Sequence, residues 1–155
     1  MNKPLHETDF LRWTSGQASA LRAAGAVGIN TPAPIDWENV AEEIDSLGRS
    51  QRSELRSRIG VILEHLVKLI ALPATAPRAG WLDTIDEQRA AIDRLLEDSP
   101  SLRREIPALL MAELPRAGRM VARSAARHGE TLHTSIAALA FSAEQVVGDW
   151  YPPEP

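Results

Sequence analysis

Residues 36–73 read DWENVAEEIDSLGRSQRSELRSRIGVILEHLVKLIALP, and this stretch decides the fold. Apolar residues recur in it every three or four positions, which predicts a helix with one buried face. Asp36 is a suitable N-cap, and Pro73 ends the pattern because the residue before a proline is pushed out of the helical region. Beyond residue 50 the apolar face widens until little polar surface remains, which is typical of the central helix of a bundle.

Gly48 gives two opposed signals about whether this stretch is one helix or two. Followed by Ser50, it resembles a helix end and a new N-cap, which would give helices over 37–47 and 50–71. However, residues 36–47 carry five acidic and no basic residues, and residues 49–58 carry four arginines and one glutamate. With two helices, the acidic residues would lie at a C-terminus and the arginines at an N-terminus, and the helix dipole disfavours both positions. One continuous helix would instead pair Asp45 with Arg49 at i,i+4. The sequence leaves both arrangements open.

The remaining sequence predicts four further helices, over 7–24, 80–98, 100–127 and 142–149. Thr8 or Asp9 is the expected cap of the first, and Gly25 and Gly28 are expected to end it, with a loop at 29–34. There is no strand pattern and no internal repeat. The sequence therefore predicts one all-α domain over residues 1–155, a bundle of five or six helices with up-down connectivity around a central long helix.

The last long helix, after its expected N-cap Ser99, is the least regular. Pro107 and Pro115 lie inside its apolar pattern. Each should remove a backbone hydrogen bond, so we expect a kink or a division of the helix there. Ser142 and Gln145 have the spacing of a capping box, which predicts the start of the final short helix.

Composition excludes several classes of function. The 155 residues include no cysteine, so disulfides, thiolate metal sites and cysteine nucleophiles are excluded. A net charge of −4 makes nucleic-acid binding unlikely, because such proteins usually carry a basic excess. The N-terminus lacks the apolar run of a signal peptide and no segment could span a membrane, so we expect a cytoplasmic protein. The four histidines form no chelating pair, and neither a metal nor another cofactor is expected.

Four polar residues beside the apolar helix faces form a candidate polar cluster: Glu43, His65, Lys68 and Gln88. If they meet between helices, Glu43 and His65 would make an acid–base pair. The more common role of such residues is a hydrogen-bonded contact between helices, and we favour that interpretation.

A second candidate site is a series of arginines, here called the arginine stripe: Arg116, Arg119, Arg123 and Arg127. At helical spacing they fall within an arc of about 80°. No acidic residue interrupts positions 114–129. The stripe could bind an acidic protein face, a phosphate group or RNA, although most charged helix faces are simply solvated. Near the C-terminus, Trp150 and Tyr151 would either anchor an interface or cap the bundle.

Five blocks of the sequence carry a family resemblance: WT..QA..LR at 13–22, DWENVAEEIDSLGRSQRSELRSR at 36–58, ILEHLVKL at 62–69, W..TI.EQR..I.RLLEDSPSLR at 81–103 and S.EQV...W at 142–150. In these the chain resembles domain-of-unknown-function family 29, a group of bacterial helical proteins. The resemblance covers nearly the whole chain and implies a helical, cytoplasmic, single-domain protein. It implies no substrate, cofactor or catalytic residue. The chain differs from the family pattern at Pro107 and Pro115 and in the arginine-rich segment that follows them.

The sequence favours a non-enzymatic helical interaction module that binds a partner protein or associates with itself as a homodimer. This hypothesis rests on the absence of a catalytic motif and on the segregated acidic and basic helix faces. One alternative is a small-ligand-binding protein or enzyme that uses Glu43 and His65. Another is a nucleic-acid accessory protein that uses the arginine stripe.

Overall fold

The computed structural model describes residues 2–28, 35–73 and 77–154, and in these the chain is all α-helical, as predicted. The helices are α1 (Leu5–Thr8), α2 (Phe10–Val27), α3 (Trp37–Ala71), α4 (Arg78–Asp98), α5 (Ile106–His128) and α6 (Ala143–Val147), with 3₁₀ turns at Pro100–Glu105 and Ile136–Ala138. The loop expected at 29–34 lies outside the described residues. In the described part of the chain, no helix has the length and apolar content needed to cross a membrane.

The backbone divides into two compact units. The first comprises Met1–Glu54 and Leu95–Arg103, and the second comprises Leu55–Arg94 and Arg104–Pro155. Helix α3 contributes its first half to one unit and its second half to the other.

Gly48 lies inside α3 and does not divide it, since the helix runs unbroken from Trp37 to Ala71. A Cβ atom on Gly48 would lie 2.8 Å from Thr14 Oγ1 and 3.0 Å from Leu11 Cδ1. The missing side chain therefore lets α2 approach α3 closely. Gly48 serves helix packing and does not end a helix.

The predicted i,i+4 ion pair between Asp45 and Arg49 is wrong. Arg22 of α2 donates to Asp45 at 2.7 Å, to Glu38 at 3.0 Å and to Glu42 at 3.4 Å. Since Asp45 is bound to Arg22, Arg49 pairs with Glu42 instead. The hydrogen bonds that Arg22 donates to Asp45 and then to Glu38 raise the pKa of its guanidinium.

In the first half of α3, the apolar face is narrower than the sequence predicts. Ala41 and Gly48, seven residues apart on one face, are buried. The helical spacing of the apolar residues predicts that Val40 and Leu47 are buried too, but they are 41% and 44% exposed. The close approach of α2 at Gly48 fixes which side of α3 is covered.

The predicted N-caps of α3 and α2 are confirmed. Asp36 accepts a hydrogen bond from the Asn39 N–H at 3.2 Å. Asp9, one of the two residues predicted to cap the first long helix, accepts from the Arg12 N–H at 3.1 Å. Helix α3 also ends before Pro73, as predicted.

Of the two glycines predicted to end α2, only Gly28 does so. It has a φ of 63°, in the left-handed region that glycine adopts without strain. Gly25 lies inside the helix, where a Cβ atom would be 2.6 Å from Trp37 Cβ. The expected end at residue 24 is therefore three residues too early, because Gly25 makes room for Trp37 and does not stop the helix.

Ser99 and Asp9 connect the separate chain segments of the first unit. The buried Ser99 hydroxyl accepts from the Leu11 N–H at 3.0 Å and donates to Gln51 Oε1. Asp9 accepts from the Ser101 N–H at 3.0 Å and from its hydroxyl at 2.9 Å. The prediction that Ser99 caps a long helix is wrong, because its hydroxyl is engaged elsewhere and a 3₁₀ turn follows it.

Replacing Ser99 with alanine is expected to lower the free energy of unfolding by about 1–2 kcal/mol, because it leaves the buried Leu11 N–H without its acceptor. Urea unfolding followed by circular dichroism measures this change. Ser19→Ala, at an exposed position of α2, is the control and should change stability by less than about 0.5 kcal/mol. An equal effect of the two substitutions would contradict this role of Ser99.

The core of the second unit contains the second half of α3. Of the apolar residues that recur here at helical spacing, Ile70 is half-buried and six are buried: Leu55, Ile59, Ile62, Leu63, Leu66 and Leu69. Val67 and Ala71 of α3 and Leu72, just after it, pack with Val121 and Ala125 of α5. Full burial of each valine or leucine side chain contributes about 1.5–3 kcal/mol, so this apolar cluster is a principal source of stability.

Neither proline divides α5. Pro107 lies in its first turn, where the backbone N–H has no partner within the helix, so no hydrogen bond is lost. Pro115 lies inside the helix, which nevertheless continues to His128 and ends at Gly129 with φ 68°. The division considered from the sequence is therefore wrong, and so is the start at residue 100, where the 3₁₀ turn lies.

The capping box of the last helix is confirmed. The Ser142 N–H donates to Gln145 Oε1 at 2.9 Å, and the Gln145 N–H donates to Ser142 Oγ at 3.1 Å. The helix ends at Val147, two residues before the predicted end.

Candidate functional site

The first member of the candidate polar cluster, Glu43, is exposed on the half of α3 in the first unit. His65 lies on the half in the second unit, and its Nδ1 is 2.8 Å from the carbonyl oxygen of Val61. The structure thus gives each of the two residues its own surroundings.

The other two members of the candidate polar cluster bind different neighbours. Lys68 Nζ lies 2.6 Å from Glu64, one turn earlier on α3. Gln88 accepts a hydrogen bond from Arg58 at 3.1 Å. Among the described residues, no hydrogen bond or ion pair joins Lys68 or Gln88 to His65. The Lys68–Glu64 pair lies within α3, and the bond between Arg58 and Gln88 joins α3 to α4. Polar contacts of both types are common in helical proteins.

The arginine stripe lies on α5, and all four of its side chains are exposed. Arg116 Nη1 is 3.7 Å from Glu113. Within the described ranges, Arg119, Arg123 and Arg127 make no ion pair. Three neighbouring cations therefore face solvent without an acidic partner in the part of the chain that the structure shows.

Glu113 is a buried acid that its sequence context did not single out. It is 4% exposed, binds Arg56 of α3, and lies where a Cβ atom on Gly60 would be 3.6 Å from its Oε2. The sequence indicates the burial of Glu113 only through its helical spacing, since Leu110 lies three residues before it and Ala117 four residues after it, and both are buried. Glu113 fixes α5 against α3 and engages only the first arginine of the stripe.

An apolar cavity of about 380 Å³ lies between α5 and the segment after it. Gly118 and Arg119 line it from α5, and Ile136 and Leu139 line it from the opposite side. A Cβ atom on Gly118 would lie 2.5 Å from Ile136 Cγ2, so this glycine allows the segment to pass close to the helix. The cavity brings an arginine of the stripe to the edge of an apolar surface.

A second cavity, of about 340 Å³, continues along the same two elements. Leu110 and Met111 line it from α5, and Ala140 and Phe141 line it from the other side. Leu114 lines both cavities. We call the two together the α5 groove. Met111 at its edge is 81% exposed.

Arg89 of α4 holds the chain beyond the groove. An arginine on a helix ordinarily lies outward, but Arg89 is only 6% exposed. Its Nε donates to the Val146 carbonyl at 2.9 Å, and its Nη2 donates to the carbonyls of Gln145 at 2.8 Å and Trp150 at 2.6 Å. The guanidinium also lies 4.9 Å from the centre of the Tyr151 ring. Arg89 therefore fixes the C-terminal segment.

Tyr151 adds a second link between this segment and α4. Its hydroxyl donates to Asp86, and this hydrogen bond, together with burial, raises the pKa of the Tyr151 phenol. The folded protein thus favours the neutral phenol. The resulting stabilisation is present below the ordinary tyrosine pKa and is lost as the pH rises through the raised value. Trp150 lies against Phe141, with ring centres 6.2 Å apart.

The side chains of the described residues offer no cluster of three or more His, Asp or Glu that could hold a metal ion. The groove is chemically simple: it has apolar walls, Met111 at one end and Arg119 at the other. Such a surface can bind an apolar group and an adjacent negative charge.

Comparison with known proteins gives the family and the fold. The model of the family described as "Domain of unknown function DUF29" matches residues 5–151, which confirms the resemblance seen in the sequence. An alpha-helical protein of unknown function from Rhodospirillum rubrum has a similar structure, with a TM-score of 0.78 and 22% sequence identity. The match covers 98% of this chain and 94% of that one. No curated protein matches the chain.

Proposed function

This chain belongs to the DUF29 family, whose description gives no function, and we propose from its own residues that it is a cytoplasmic helical interaction module. It binds an acidic segment of a partner protein through the arginine stripe and the α5 groove. The observation that supports this proposal most strongly is the position of Arg119, which belongs to the stripe and also lines the apolar cavity.

The charges of the stripe favour an acidic partner. Arg119 and Arg123 are exposed and make no ion pair among the described residues, so an incoming carboxylate would not displace an existing one. Arginine binds carboxylates with two parallel hydrogen bonds, and complementary charge increases both specificity and the rate of association. The apolar cavity beside Arg119 supplies the buried area that charge alone does not.

Other classes of function have less support. Nucleic-acid binders usually neutralise many phosphates, whereas this chain has a net charge of −4 and a short basic face on one helix. An enzyme that pairs Glu43 with His65 has less support, because Glu43 is exposed and His65 Nδ1 lies 2.8 Å from the Val61 carbonyl oxygen. A second copy of the chain is one possible partner, because residues 36–47 of α3 are acidic.

Affinity capture from the native cell extract tests the proposal with three forms of the protein. These are the wild type, Arg119→Glu with Arg123→Glu, and a control with Arg12→Glu and Arg94→Glu, which makes the same charge change at exposed sites on other helices. A photo-crosslinking residue replaces Met120, which is 52% exposed on α5. We expect the wild type and the control to retain a protein cross-linked through an acidic segment, and the stripe variant to lose at least tenfold in affinity, about 1.4 kcal/mol.

Light scattering and thermal unfolding accompany the capture. Light scattering identifies a second copy of the chain as the partner if the wild type is a dimer and the stripe variant is a monomer. Retention of the same protein by the stripe variant would contradict the proposal, as would a cross-linked nucleic acid or small molecule. Unfolding of the stripe variant would show that the arginines are structural.

A further inference from the structure

We infer that the occupant of the α5 groove is an amphipathic helix that inserts two apolar side chains seven residues apart, with its acidic residues beside one of them. This inference rests on the proposed function and specifies the shape and polarity of the partner segment. It follows from three features of the groove: the distance between its cavities, their volumes, and the unequal distribution of charge along it.

The distance between the cavities matches a helix. Gly118 lines the first cavity and Met111 lines the second, so the two are seven residues apart along α5. At 1.5 Å per residue this is about 10.5 Å, or two turns. A helix lying along α5 presents residues i and i+7 on one face at the same distance. An extended peptide covers about 10 Å in three residues, which places its two side chains on opposite faces. The spacing therefore favours a helical occupant.

Each cavity can take a large apolar side chain. Their volumes are about 380 and 340 Å³, and a closed apolar cavity of about 150 Å³ already holds a benzene ring. Met111 lies at the exposed edge of the second cavity. Its unbranched, polarisable side chain can adapt to the shape of an incoming residue. Leucine, isoleucine or phenylalanine would be suitable anchors.

The distribution of charge along the groove fixes which of the two anchors has acidic residues beside it. Arg119 lines the first cavity, and Arg123 lies one turn further along α5. The second cavity is lined by apolar residues and Ser142, with no charged side chain. Acidic residues of the partner therefore belong beside the anchor that enters the first cavity. Acidic residues next to the anchor in the second cavity would gain no attraction from the arginine stripe.

Three stapled helical peptides of identical composition test this inference by fluorescence anisotropy. The first has two leucines seven residues apart with its glutamates beside one of them. The second has the leucines four residues apart, and the third has the proper spacing but the glutamates distributed evenly. We expect the first to bind at least tenfold more tightly than the second and several-fold more tightly than the third. Arg119→Glu with Arg123→Glu should remove this preference.

Variants that fill the cavities separate this inference from the proposed function. Ala137→Trp and Ala140→Trp introduce a large side chain at exposed positions of the first and second cavity. Each should weaken binding of the first peptide at least tenfold without lowering the melting temperature. Met111→Lys tests the second cavity again at a position that is 81% exposed.

The outcomes distinguish the two proposals. If the arginine reversal weakens peptide binding and the tryptophan variants bind like the wild type, the two-anchor helix is wrong and the acidic-partner proposal stands. If the reversal has no effect either, both are wrong. Equal affinity for the first two peptides, or no binding of any peptide, also overturns the two-anchor helix.

Discussion

Arg89→Met is expected to lower the free energy of unfolding by about 3–5 kcal/mol. The substitution keeps an apolar chain of similar length, but it leaves the carbonyls of Gln145, Val146 and Trp150 without their donor. Hydrogen bonds from a charged group are worth about 1.5–3 kcal/mol each. The expected loss is smaller than their sum, because Arg89 Nη1 is itself buried and has no hydrogen-bond partner among the described residues. Urea unfolding followed by circular dichroism measures the change.

Two further variants make this experiment specific. Arg94→Met alters an exposed arginine on the same helix and should change stability by less than about 0.5 kcal/mol. Arg89→Lys keeps the charge but loses the planar fork that reaches several carbonyls, so we expect it to recover only part of the loss. A loss below about 1 kcal/mol for Arg89→Met would show that these hydrogen bonds do not hold the C-terminal segment.

Gly48→Leu is expected to destabilise the protein by about 2 kcal/mol. Even a Cβ atom there would lie 2.8 Å from Thr14 Oγ1, so a leucine must push α2 away from α3. Overpacking of this kind typically costs about 1–3 kcal/mol, and it outweighs the gain of up to about 1 kcal/mol from removing a helix glycine. Thermal and urea unfolding measure the effect.

Gly16→Leu is the matched control. Gly16 lies inside α2, and nothing is within 4 Å of where its Cβ atom would be. Here only the helix propensity changes, so we expect stability to rise by a few tenths of a kcal/mol to about 1 kcal/mol. If both substitutions stabilise the protein, the close approach at Gly48 does not exist in solution.

Features of the fold that depend on local chemistry could be predicted from the sequence. Asp36 caps α3 because its carboxylate reaches an N–H three residues away, and the pair Ser142 and Gln145 works in the same way. Gly129 ends α5 through its own backbone conformation. The roles of Gly25 and Gly48 could not be predicted, because each depends on a side chain of another helix. A glycine that ends a helix and one that admits a neighbour look alike in sequence.

The candidate site could be predicted only in part. The arginine stripe follows from helical spacing, since Arg119 and Arg123 are one turn apart on the same helix. The groove beside it could not be predicted, because its other side comes from residues 136–141, which have no regular pattern. Arg89 lies four residues after Ile85 and three before Ile92, both of which are buried. This helical spacing predicts that Arg89 faces inward, whereas its charge predicts that it faces solvent.

A charge-swap experiment tests most directly whether the arginine stripe binds an acidic partner. The segment cross-linked at position 120 is synthesised as found and with two of its acidic residues changed to lysine. Calorimetry then measures both peptides against the wild type and the Arg119→Glu, Arg123→Glu variant. We predict that either change alone weakens binding at least tenfold and that the two together restore much of the affinity. Additive losses, or four equal affinities, would contradict direct pairing between the stripe and the partner.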